Sequence, residues 1–198
     1  LSLIDHHDLF TGSTRDGWTF IVVNRPIPNA AHILTGAGFT ARTHRGRTLY
    51  LLPPEKAKDA HAHAGPAIYG LMTHTVDVIN LAWTTREDHV TPAVVTICFT
   101  DTAVTATVTA ATGHAEVLLT QLGFTATGTQ RQYALPAGLA EHDALIAVVR
   151  AEAYLLADDI SVHVDLGIAT VQDIPPAPSR PGPVPAPPAT PPVKRHSR

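Results

Sequence analysis

The chain has 198 residues, 44% hydrophobic and 16% charged, which excludes a fibrous or wholly disordered protein and leaves room for one or two domains. Its net charge of −3 hides a gradient: residues 1–173 carry 10 Lys and Arg against 17 Asp and Glu, while 174–198 carry 4 against none. So acidic a body is a poor general phosphate binder, because nucleic-acid affinity comes mostly from neutralising phosphates.

In chain order, Asp16-Gly17 is a turn signal and Trp18 to Asn24 a β-branched and aromatic run, read as a strand. Asn29 is a candidate N-cap for a short helix over 30–37, which Gly38 stops by taking positive φ while Phe39 packs back on it. Residues 39–52 have hairpin character, turn near Arg45-Gly46 and end at Pro53. Ile68, Leu71, Met72, Thr75, Val76 and Ile79 recur at helical spacing, predicting a longer helix with Pro66 in its first turn. Val94 to Phe99 is a strand, Asp101-Thr102 a turn and Val104 to Thr109 a second strand. A helix over 114–122, a Gly123-Phe124 stop, a hairpin over 124–135 and Pro136 follow, then a helix over 138–157 and an alternating strand over 160–166.

This order repeats. Residues 14–41 lie over 99–126 without gaps at nine identities, among them Leu-Thr at 34–35 and 119–120 and Gly-Phe-Thr-Ala at 38–41 and 123–126. The expected fold is α+β: two tandem, internally duplicated units of strand pair, helix, strand pair and helix, with antiparallel sheets packed about a pseudo-twofold axis. The units span 1–92 and 93–173. Ten of the seventeen prolines fall at 175–192, so 174–198 is expected to be a disordered, polyproline-like basic tail.

No apolar run reaches a membrane span, and the start at Leu1 lacks a basic n-region and an apolar h-region, so a soluble, cytoplasmic protein with no membrane partner is expected. Cys98 is the single cysteine, which rules out an intrachain disulfide; between Ile97 and Phe99 it reads as a small hydrophobe without a local thiolate-stabilising group. His61, His63 and His74 lack ligand spacing, and no nucleophile elbow, phosphate loop or dinucleotide glycine pattern occurs. Neither catalytic nor cofactor nor metal residues are assigned.

The candidate contact site is Arg42, His44, Arg45 and Arg47, because the equivalent stretch of the second unit, 127–132, has a single charge. Clustered guanidinium groups suit phosphates or carboxylates, or could pair with the acidic stretch from Glu141 to Asp165. Two resemblances bear on function. Asp5-His6-His7-Asp8 resembles the Asp-His-His signature of manganese phosphoesterases, whose carboxylates and imidazoles hold a metal pair that activates water; the likeness is confined to these residues. The order of elements with Tyr133-Ala134-Leu135-Pro136 is similar to small modules appended to annealing helicases and other DNA-processing proteins, which implies a nucleic-acid accessory role. The leading expectation is a non-enzymatic binding or adaptor protein with a protein partner. A nucleic-acid-associated role through 42–47 comes second and a metal-dependent hydrolase third.

Overall fold

The computed structural model describes residues 3–86, 92–100, 102–109, 113–128 and 130–178, the side chains of 57–61 excepted. In the first half come β1 (Leu9–Ser13), β2 (Thr19–Val23), α1 (Ala30–Gly36), β3 (Thr40–His44), β4 (Arg47–Leu52), α2 (Ala60–Leu71) and β5 (Val78–Asn80). The second half follows with β6 (Val95–Phe99), β7 (Val104–Val108), α3 (Gly113–Gln121), β8 (Thr125–Ala126), β9 (Gln132–Ala134), α4 (Glu141–Ala157) and β10 (Val162–Asp165).

Among the described residues these elements form four helices and two five-stranded sheets, a mixed α+β fold. The sheets run β3-β4-β2-β1-β5 and β8-β9-β7-β6-β10, the same order element for element. The antiparallel sheets expected from the sequence are corrected to mixed ones: β5 lies parallel to β1 with Leu9 beside Val78, and β10 parallel to β6 with Val95 beside Val162. Each of these closing strands returns through a helical crossover, which parallel pairing requires. Shared connectivity is the structural observation; descent from one duplicated unit is a proposal resting on the sequence match.

Both short helices end alike. Phe39 N–H donates to Leu34 O at 3.1 Å and Phe124 N–H to Leu119 O at 3.0 Å, with Gly38 at φ 93° and Gly123 at φ 94°. The paired glycines thus occupy the left-handed position that lets the following phenylalanine return to the core. Asn29 precedes α1 at φ 59° without a side-chain cap bond, so it serves as a left-handed turn residue rather than the expected N-cap.

The helix expected along the 68–79 stripe is corrected. It begins at Ala60 and ends at Leu71, so Pro66 lies inside it, and Ile79 belongs to β5. Past Leu71 the β-branched Thr73, Thr75, Val76, Val78 and Ile79 favour extended chain, and the edge of β1 supplies the ladder. Val76, placed on the stripe by spacing, is 90% exposed. At the other helix, Gly138 at φ 84° delays the start to Glu141.

Both faces of the first sheet are covered over β1, β2 and β4, and β3 stays exposed. Leu9, Ile21, Tyr50 and Leu52 pack on Leu34, Ala64, Ile68 and Leu71 of α1 and α2. The alternate residues Phe10, Phe20, Val22, Leu49, Leu51 and Ile79 share one core with Val95, Ile97, Ala106, Leu119, Leu145, Val148 and Leu155 of the second half. Gly12 permits this approach, since a Cβ there would stand 2.7 Å from Leu166 Cδ1. Thr96, Cys98 and Thr105, on the opposite face of the second sheet, are half-buried, and Thr107 is exposed.

Candidate functional site

The basic hairpin forms where the sequence places it. Arg45 (φ 44°) and Gly46 (φ 83°) make a two-residue turn with both φ positive, joining β3 to β4 with His44 opposite Arg47. Alternation then sends its cations to different places. Arg42 and Arg45 are exposed, and neither has an ion pair among the described residues. Arg47 is 7% exposed, and its Nη2 donates to Asp5 Oδ1 at 2.7 Å and to Pro176 O at 2.5 Å. His44 Nε2 donates to Ile174 O at 3.2 Å, and Ala177 N–H donates to the Arg45 carbonyl at 3.0 Å.

The hairpin tip therefore holds an extended stretch of the chain's own C-terminal segment by backbone contacts. Ile174 is fully buried in the shared core, which corrects the expectation that the folded chain ends at Asp173. The rest of the expected disordered tail, 179–198, lies outside the described residues. The suggested pairing of these arginines with the stretch from Glu141 to Asp165 is not what Arg47 does: its carboxylate is Asp5, from the first half. A guanidinium removed from water needs such a partner, because an unpaired buried charge costs several kcal/mol, about 3–5 when one member of a pair is lost. Arg47 Nε and Nη1 are buried without a partner among the described residues.

Asp5-His6-His7-Asp8 divides its side chains among β4, α4 and the loops that follow β2 and precede β5. Asp5 takes Arg47; His6 Nε2 lies 3.4 Å from Glu141 Oε2 at the start of α4. His7 Nδ1 donates to Asp77 Oδ1 at 2.6 Å, before β5. Asp8 accepts from Thr75 Oγ1 at 2.8 Å and from Arg25 Nε at 3.0 Å. His142 stacks on His7 with ring centroids 5.0 Å apart. Burial alone would raise the Asp77 carboxyl, but the hydrogen bonds from His7 and the Asp8 amide outweigh it and hold it below the usual carboxylate range. Each side chain thus has an internal partner: His6 and His7 reach Glu141 and His142 of the second half, while Asp5 and Asp8 pair within the first. The contacts to Asp77, Glu141 and His142 were invisible in the sequence, since separations of 70 and 135 residues leave no local signal.

Among the described residues no group of three or more His, Cys, Asp or Glu is arranged to hold a metal ion. His63 Nδ1 donates to Ala37 O at 2.9 Å, and the side chain of His61 is outside the described residues. Cys98 is half-buried opposite Asp165 in the β6–β10 register; burial first, then the Asp165 charge, push its thiol up, with Arg15 opposing. That direction disfavours a thiolate nucleophile. Arg15 instead clamps the halves, with Nη2 2.5 Å from Asp165 Oδ2 and its backbone N–H donating to Ile168 O at 3.0 Å. No helix of the described residues is long and apolar enough to cross a membrane. Compared with known protein families, curated proteins and solved structures, the chain matches none.

Proposed function

We propose that the protein is a small, cytoplasmic, non-enzymatic adaptor that binds an extended acidic peptide along β3. The observation that carries this reading is an open sheet edge. Thr40 to Thr43 are all exposed, and among the described residues β4 is the only strand that pairs with β3. An extended partner can add a strand to such an edge, main-chain bonds supplying affinity and alternate side chains specificity. Arg42 and Arg45 stand exposed on that hairpin, where they would select carboxylates. The grip of the tip on Ile174 to Ala177 supports the reading, because it is the same recognition of extended backbone within one chain. A charged edge residue such as Arg42 also discourages unselective pairing between copies.

The test is amide hydrogen exchange at 40–44 during titration with a synthetic peptide of alternating Val and Glu. Slowed exchange that is lost in the Arg42→Gln/Arg45→Gln double variant is the expected result. Absence of protection overturns the proposal. Salt-sensitive gel shifts with single- or double-stranded DNA, in a protein indifferent to the peptide, would transfer the hairpin to the nucleic-acid reading.

A further inference from the structure

We propose that the cleft between the end of α3 and α4 binds a short zwitterionic peptide of about three residues. The shared connectivity makes the first half an internal control. There the place where α1 ends against α2 is closed: His63 Nδ1 donates to Ala37 O, and a Cβ at Gly38 would meet the same imidazole at 3.6 Å. In the second half the corresponding place is open. Nothing lies within 4 Å of a Cβ built on Gly123, and a cleft of about 430 Å³ is lined by Leu122 and Gly123 on one side and by Asp143, Ile146, Ala147 and Arg150 of α4 on the other. The Leu122 carbonyl, counterpart of the one His63 satisfies, accepts no hydrogen bond among the described residues.

The α4 lining has a definite order. Spacings of three, four and seven residues put all four side chains on one stripe, with a carboxylate at one end, a guanidinium at the other and an apolar floor between. Asp143 and Arg150 stand about 10 Å apart along the axis, too far to neutralise each other as helix pairs three or four residues apart do. Both are exposed, and neither has an ion pair among the described residues. The Asp143 carboxylate offers a partner for a free ammonium at one end of the cleft, and the Arg150 fork one for a free carboxylate at the other. An extended tripeptide separates its terminal charges by about 10 Å and lays its middle side chain over Ile146 and Ala147.

The probe is Ala-Val-Ala with free termini, titrated into the full chain and followed by amide chemical shifts. Saturable shifts at Leu122, Gly123, Ile146 and Ala147 are expected, absent with the same peptide acetylated and amidated. Asp143→Asn and Arg150→Gln, both exposed changes that leave the core intact, should each weaken binding about tenfold or more. No shifts up to about 10 mM peptide, or equal binding of the capped peptide, overturns the assignment. So does loss on only one of the two substitutions, because a zwitterion needs both ends.

Discussion

Glu152 is an acidic residue held largely out of water. It is 9% exposed, in the middle of α4, and accepts a hydrogen bond from Thr84 Oγ1 at 2.6 Å. Burial pushes its carboxyl above the usual range, and the Thr84 hydrogen bond only partly opposes this. Because the folded value is raised above the unfolded one, the contribution of Glu152 to stability is complete below the unfolded value and is lost as pH rises through the folded value. Glu152→Gln should therefore stabilise the fold at neutral pH by roughly 1 kcal/mol, raising the thermal midpoint, while still accepting from Thr84. The gain should vanish near pH 4, about where an unfolded carboxyl protonates. Asp77, held low by His7, has the opposite sign and loses its contribution as pH falls. Comparing midpoints of the two proteins across pH cancels it, and parallel curves would refute the assignment to Glu152.

At the scale of elements, the helix stops carry most of the local information. Gly38-Phe39 and Gly123-Phe124 were legible in the sequence, because a left-handed residue followed by a buried aromatic is a local arrangement with a local signature. Gly123→Ala should cost about 1 kcal/mol, all of it backbone strain, since the added Cβ meets no neighbour within 4 Å. A lower denaturant midpoint at unchanged slope checks this, and no shift would mean that the turn relaxes freely. The hairpin turn at Arg45-Gly46 was equally local. The stripe over 68–79 was not, because a β-branched run satisfies helical spacing by accident. Only pairing of Val78 with Leu9 makes its end a strand. The same sequence distinguishes the two sheets: Thr-Phe-Ile-Val-Val of β2 is apolar nearly throughout and is covered on both faces, while Val-Thr-Ala-Thr-Val of β7 alternates and is covered on one.

Across the whole molecule, the C-terminal segment laces the halves together. It leaves β10, places Leu166 against Gly12, gives the Ile168 carbonyl to Arg15, buries Ile174 and reaches the hairpin tip at Ala177. A chain ending at Asp173 should lose about 3 kcal/mol relative to one ending at Pro178: about 2 from uncovering the Ile174 site, the rest from hydrogen bonds to His44, Arg45 and Arg47. Equal thermal midpoints for the two would show that the segment adds nothing to the fold.

Composition and local pattern by themselves determined the mixed α+β class, the repeated order of elements, the paired glycine stops and the position of the basic turn. Each depends on residues within a few positions of one another, where backbone sterics and side-chain period act directly. The tertiary structure alone decided that Arg47 is buried against Asp5 while Arg42 and Arg45 remain exposed, and that His7 meets Asp77. It alone decided that the Phe10 and Phe20 face closes on the second half, and that the cleft filled by His63 in one half is open in the other. These outcomes depend on which surfaces meet after the chain has crossed many residues, and the stripe Asp143, Ile146, Ala147 and Arg150 has meaning only beside the end of α3. Burial then selects among charges that the sequence leaves equivalent, because only a charge with a partner can be taken out of water.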